Sequence, residues 1–175
     1  MKNLFFTILI LGTAFCSAQQ KELIDNKTQE VILMGVVNRE KLLQEPYNSW
    51  FTPNYNSYVT DKEVMAQLSP LLKDVSLKVF LGTWCGDSQD QIPWLYKILD
   101  EANFNADQME VISINRSMST PDDLQKGFNI ERVPTIIVYK NGKEMGRFVE
   151  YPRKSIEADL LKIVSGQGYK HVYEK

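Results

Sequence analysis

Two cysteines and one histidine are all that the 175-residue chain holds of those types. That scarcity excludes a disulfide framework and a zinc site built from His and Cys alone. Metal binding would need a carboxylate-rich site, and no such spacing occurs, so neither a metal nor another cofactor is expected. Charge of one sign is also missing. Against 22 Asp and Glu stand 20 Lys and Arg, which excludes a domain that holds nucleic acid mainly by phosphate neutralisation. Beyond the first residues no apolar run approaches the ~18 residues of a membrane span. What is present is a globular composition, 43% apolar and 11% aromatic, and one domain is the default at this length.

Residues 1–18 read as a signal peptide: Lys2 supplies the positive end, Leu4 to Phe15 the apolar run, and Cys16-Ser17-Ala18 the small-residue exit. An exported product, periplasmic by preference, follows. A lipid anchor on Cys16 is the lesser alternative, because Thr13 and Phe15 stand where a lipoprotein signal usually has a branched apolar residue and a small one. Cleavage leaves Cys85 as the sole cysteine. In an oxidising compartment an unpaired thiol must be buried, protected or used.

Val31 to Val37 has the apolar character of a strand, with Gly35 marking a bend or close approach. Asn38 is placed to cap a short helix through Leu42 and Leu43 that Pro46 stops. From Tyr47 to Tyr58, rings alternate with Asn, Ser and Pro, which predicts an ordered loop whose aromatics pack on the domain or offer a peptide-binding surface. Thr60 and Glu63 have capping-box spacing ahead of a helix bearing Val64, Leu68, Leu71 and Leu72, disturbed by Pro70. A strand over Leu77–Leu81, a helix over Asp87–Leu99 bent at Pro93, and a strand over Val111, Ile112 and Ile114 follow. Pro121 and Asp122 are read as opening a short helix through Leu124 and Phe128. Thr135–Lys140 and Lys143–Val149 flank Asn141-Gly142, a hairpin signal, and Ser155 caps a last helix that Gly166 and Gly168 end. The expectation is an α/β fold, a mixed sheet flanked by helices. Its parts are a signal peptide over 1–18, an aromatic-rich N-terminal extension over 19–74 packed on the core, the core over 75–166, and a C-terminal tail over 167–175.

Cys85 follows a predicted strand and opens a predicted helix, where unsatisfied backbone N–H groups favour a thiolate over a thiol. The bland reading, a small apolar core residue, stands beside that one. The run Trp84-Cys85-Gly86-Asp87-Ser88, with Pro93 and with Arg132-Val133-Pro134-Thr135 before the hairpin, resembles the thioredoxin superfamily over most of Leu77 to Val164. Its longer pattern is similar to exported bacterial thioredoxin-like proteins. The resemblance implies a thioredoxin-like fold in which Trp84 shields the site, Cys85 attacks a disulfide, and Pro134 is a cis-proline facing the sulfur. Backbone around Pro134, from Arg132 and Val133 to Thr135, would then hold an extended peptide.

Departures from the family pattern narrow the chemistry. Ser88 occupies the position of the resolving cysteine, so an autonomous dithiol cycle is excluded, although its hydroxyl can donate to the sulfur. Asp87, if ionised nearby, opposes the thiolate. Val79 fills the place where family members often carry a buried acid. Arg132 reads either as a residue that orients substrate or as a solvent-facing loop arginine. His171 has no evident partner, and the terminal Lys and Glu residues are read as solvated. A single thiol supports mixed-disulfide exchange with a disulfide-containing peptide or protein, completed by an external thiol reductant, a membrane reductant being one source. The alternatives are a redox-silent peptide-binding or assembly module and a monothiol peroxidase.

Overall fold

The computed structural model describes residues 21–25 and 28–174. The signal-peptide reading of 1–18, with Lys2 and Cys16, lies outside the described residues. Six strands form one sheet in the order β1-β2-β4-β3-β5-β6: β1 Lys21–Ile24, β2 Val31–Val36, β3 Val75–Leu81, β4 Met109–Ser113, β5 Thr135–Lys140 and β6 Lys143–Val149. Only β3 and β4 pair in parallel; β1–β2, β2–β4, β3–β5 and β5–β6 are antiparallel. The helices are α1 Arg39–Leu42, α2 Asn48–Ser57, α3 Lys62–Leu68, α4 Gly86–Glu101 and α5 Ile156–Val164. This is the mixed sheet flanked by helices that the apolar runs and the hairpin signal predict.

β3 lies between β4 and β5, and its alternating side chains feed two cores. Val75, Leu77, Val79 and Leu81 join the larger one, with α2, α4 and α5 residues such as Phe51, Leu95 and Leu160. Phe80 faces the other way, into a smaller cluster with Ile112, Ile114, Val133 and Ile137, against which Trp84 and Cys85 pack. A strand covered on both faces reads as a nearly continuous apolar run, which is why this one is legible. The hairpin turn has Asn141 at φ 51° and Gly142 at φ 74°, the doubly left-handed turn that matches strand twist. Asn38 Oδ1 accepts the Lys41 N–H at 3.0 Å, and Ser155 Oγ the Ala158 N–H at 3.3 Å, as their capping readings require.

Three expectations are corrected. The stretch from Tyr47 to Tyr58 is not a loop, since residues 48–57 form α2 with Pro53 inside it. Its Asn, Ser and Pro content argues against a helix, but burial of Phe51, whose ring meets Tyr96 edge-on at 5.5 Å, outweighs weak propensity. The cap of α3 is Asp61, whose Oδ1 accepts the Glu63 and Val64 N–H groups at 2.9 and 3.2 Å. Thr60 instead turns its hydroxyl to Glu101, donating at 2.5 Å. No helix forms over 121–128: Thr120 Oγ1 accepts the Leu124 N–H at 2.8 Å and Asp123 sits at φ 55°, so local side-chain bonding wins over the helical ladder. Strand β1 is an addition that its four-residue length hides in the sequence. The terminal Lys170 and Glu174 are exposed, as expected, while residues 169–173 dock on the domain, as described below.

Candidate functional site

The connection from β3 to α4 is residues 82–85, and hydrogen bonds tie it down at several points. Cys85 N–H donates to Gly82 O at 2.9 Å, Gly82 N–H to Ser88 Oγ at 3.2 Å, and Gln89 Nε2 to Thr83 O at 2.8 Å. Thr83 Oγ1 accepts the Leu33 N–H at 3.0 Å, joining the loop to β2. Ser88 is fully buried, and its oxygen closes this turn. Gly82 is required for a steric reason. A Cβ there would stand 2.6 Å from the Trp84 ring, so the ring lies directly on the glycine.

Cys85 is the N-cap of α4, with extended backbone (φ −100°, ψ 122°) and no side-chain capping bond. Its thiol is half-buried and donates to Val133 O at 3.3 Å. The Val133–Pro134 bond is cis, and Pro134 O accepts the Glu150 N–H at 2.7 Å. Thr135 Oγ1 donates back to Arg132 O at 2.7 Å. The fold thus brings together Cys85, Val133 and Pro134, segments 48 residues apart in the chain. Gly86 and Asp87 are exposed in the first turn of α4, and nothing lies within 4 Å of a Cβ built at Gly86, so the helix start is open to solvent there.

Trp84 is anchored by donation from Nε1 to Ile114 O at 2.8 Å. Arg116 covers its ring at 4.8 Å and is held in turn by Asp25 Oδ2, 2.7 Å from Nε. Arg132 lies at the rim of the site without reaching the sulfur. It pairs with Glu150 at 3.3 Å and stacks on Tyr173, 4.2 Å from the ring centre. Sequence reasoning missed Arg116, Glu150 and Tyr173, whose separations from the motif carry no periodic signal. Gly82 was within reach, since a glycine two residues before a large ring signals close approach. Among the described residues no three His, Cys, Asp or Glu side chains gather to hold a metal ion.

A family model described as thioredoxin matches residues 38–162. The chain is 33% identical over 69 residues to chloroplastic thioredoxin Y of Oryza sativa subsp. japonica, a stretch that is 39% of this chain and 38% of that protein. It is 30% identical over 94 residues to thioredoxin of Mycolicibacterium smegmatis, covering 54% and 75% respectively. The chain therefore spans less than half the length of the rice relative and three quarters of the mycobacterial one. A crystal structure of a Pseudomonas aeruginosa protein of unknown function shares the fold, with TM-score 0.54, 18% identity, and coverage of 71% of this chain and 87% of that one.

Proposed function

The chain belongs to the thioredoxin family, and from that premise we propose that it is an exported monothiol member that exchanges disulfides with peptides or proteins through Cys85. The observation carrying this reading is the half-exposed sulfur at the start of α4, 3.3 Å from the carbonyl that precedes cis-Pro134. In the forward step the Cys85 thiolate attacks one sulfur of a substrate disulfide. A Cys85–substrate disulfide forms, the substrate S–S bond breaks, and the departing sulfur leaves as a thiolate that takes a proton from water. A further thiol of the substrate, other than the one just set free, or an external thiol, then attacks the substrate sulfur of the mixed disulfide and returns Cys85. The first gives rearrangement and the second, followed by another thiol, reduction.

Each neighbour has a role in this scheme. The exposed N–H groups at the start of α4 favour the attacking anion. Ser88 cannot resolve the adduct, but its O–H proton can turn to the sulfur while its lone pair holds Gly82. Trp84, fixed by Ile114 and Arg116, shields one side, and the backbone of 132–135 faces an extended substrate. Asp87 stays in solvent, where its opposing charge is screened.

Mature protein mixed with a disulfide-bonded peptide should form a Cys85-linked adduct detectable by intact mass across about pH 6 to 9. Cys85→Ser should abolish it. No adduct in that range, with the thiol shown to be free, overturns the reading. The missing resolving thiol favours a second reading, a redox-silent peptide-binding module; peptide binding that survives Cys85→Ser without any adduct in the native protein selects it.

A further inference from the structure

The C-terminal segment is bound to the domain at several points. Arg153 donates from Nε to Lys170 O at 2.5 Å and from Nη2 to His171 O at 2.9 Å. Tyr169 donates to the buried Asp159 carboxylate at 2.9 Å. These bonds carry the chain to Tyr173, whose hydroxyl donates to Glu150 Oε2 and whose ring lies under the Arg132 guanidinium. Tyr151 meets the same ring edge-on at 6.0 Å. Tyr173 therefore touches both Arg132, two residues before cis-Pro134, and Glu150, whose N–H is bonded to Pro134 O. Between this segment and β6 lies a cleft of about 670 Å³ whose lining includes Arg132, Thr135, Met145 and Tyr173. Two of those residues flank the Val133-Pro134 pair that faces Cys85.

We propose that residues 169–174 are a specificity element of the Cys85 site, with Tyr173 its anchor, forming one wall of a subsite for the chain of an extended polypeptide disulfide beyond the residue that faces Pro134. This rests on the proposed exchange reaction and adds to it the part of the fold that would read a polypeptide substrate, because only a chain that continues past the reacting cysteine reaches the cleft. Tyr173 acts as a positioning residue. It sets Arg132 and Glu150 and leaves the sulfur's own surroundings, Gly82, Ser88 and Val133, untouched.

Two probes with the same reacting group separate the parts. One is N-acetylcysteine amide and the other an extended peptide with a central cysteine, each capped as a mixed disulfide with thionitrobenzoate. Attack by the Cys85 thiolate on the cysteine sulfur forms Cys85–S–S–probe and releases thionitrobenzoate, the better leaving group, which is read by absorbance. The native protein should react faster with the peptide. Tyr173→Ala should slow the peptide reaction about five-fold, the scale of one aromatic contact. It should leave the amino-acid probe within about two-fold, inside the range expected away from the reacting atoms. Tyr173→Phe, which keeps the ring under Arg132, should recover most of the peptide rate. Equal slowing of both probes, or of neither, overturns the specificity role. A native protein that reacts with neither probe overturns the exchange reaction as well, so the two failures are distinguishable.

Discussion

Helices α4 and α5 both begin against the sheet with an acidic residue in the first turn, yet their N-termini are finished in opposite ways. At α5, Ser155 caps the backbone, and the two acids beyond it are buried and engaged. Glu157, 2% exposed, accepts from the Tyr58 hydroxyl at 2.6 Å and from the Asp61 N–H at 3.1 Å. Asp159, 1% exposed, accepts from the Arg153 N–H and the Tyr169 hydroxyl. At α4, Cys85 supplies no cap, Gly86 leaves open space, and Asp87 is in solvent. A helix start leaves backbone donors unsatisfied, and a domain can either close it for stability or leave it open for an incoming anion. This chain does one at each of two helices. Ser88 and the 82–85 turn hold the open start in shape from beneath.

The largest test of that contrast removes an acceptor from the closed start. Glu157→Leu strands the Tyr58 hydroxyl and the Asp61 N–H, and should cost about 3 kcal/mol in a denaturant titration. A loss below about 1 kcal/mol would mean that the α5 network is decorative.

Alkali is the next test. Burial, and then the adjoining carboxylates, push the Tyr58 and Tyr169 hydroxyls above the ordinary tyrosine range, and burial pushes Tyr96 up to about 12. A folded pKa above the unfolded value means that the folded state keeps protons which the unfolded state has lost. The stabilisation is therefore complete below pH ~10 and falls as pH rises toward the folded values. Tyr96 alone removes about 1.4 kcal/mol by pH 11. Unfolding free energy that is flat from pH 9 to 11, a window placed about the ordinary tyrosine value, contradicts this.

The smallest test exchanges the caps. Ser155→Ala should cost about 1 kcal/mol, whereas Cys85→Ser, which brings a capping oxygen to an uncapped start with suitable backbone, should raise stability by about 0.5 kcal/mol. Loss of stability in both would show that Cys85 contributes structurally through Val133, and would weaken the open-start account.

Strands β2 to β6, α4, the hairpin and the α5 cap were legible because each rests on a short-range signal: an apolar run, a helical apolar face, Asn-Gly, or a serine before an apolar stripe. Helix α2 was not, because residues 48–57 have poor propensity and gain order only from rings buried against α4. The turns at 121–128 failed for the converse reason, since Pro121 and Asp122 look like a helix start but Thr120 captures the Leu124 N–H. Cys85, Trp84 and Pro134 stood out through their neighbours in sequence. Arg116, Glu150 and Tyr173 did not, because what joins them to the site is packing between residues dozens of positions apart.

By itself the sequence determined the chemistry on offer: one thiol beyond residue 18, a serine where a second thiol would stand, and a helix beginning at the first. These follow from residue identity and local backbone preference. Tertiary structure alone decided what surrounds that thiol, setting Val133 against the sulfur, Gly82 beneath the tryptophan and the C-terminal segment at the rim. Contacts of that kind are fixed by how buried surfaces close on one another, which no short stretch of chain encodes.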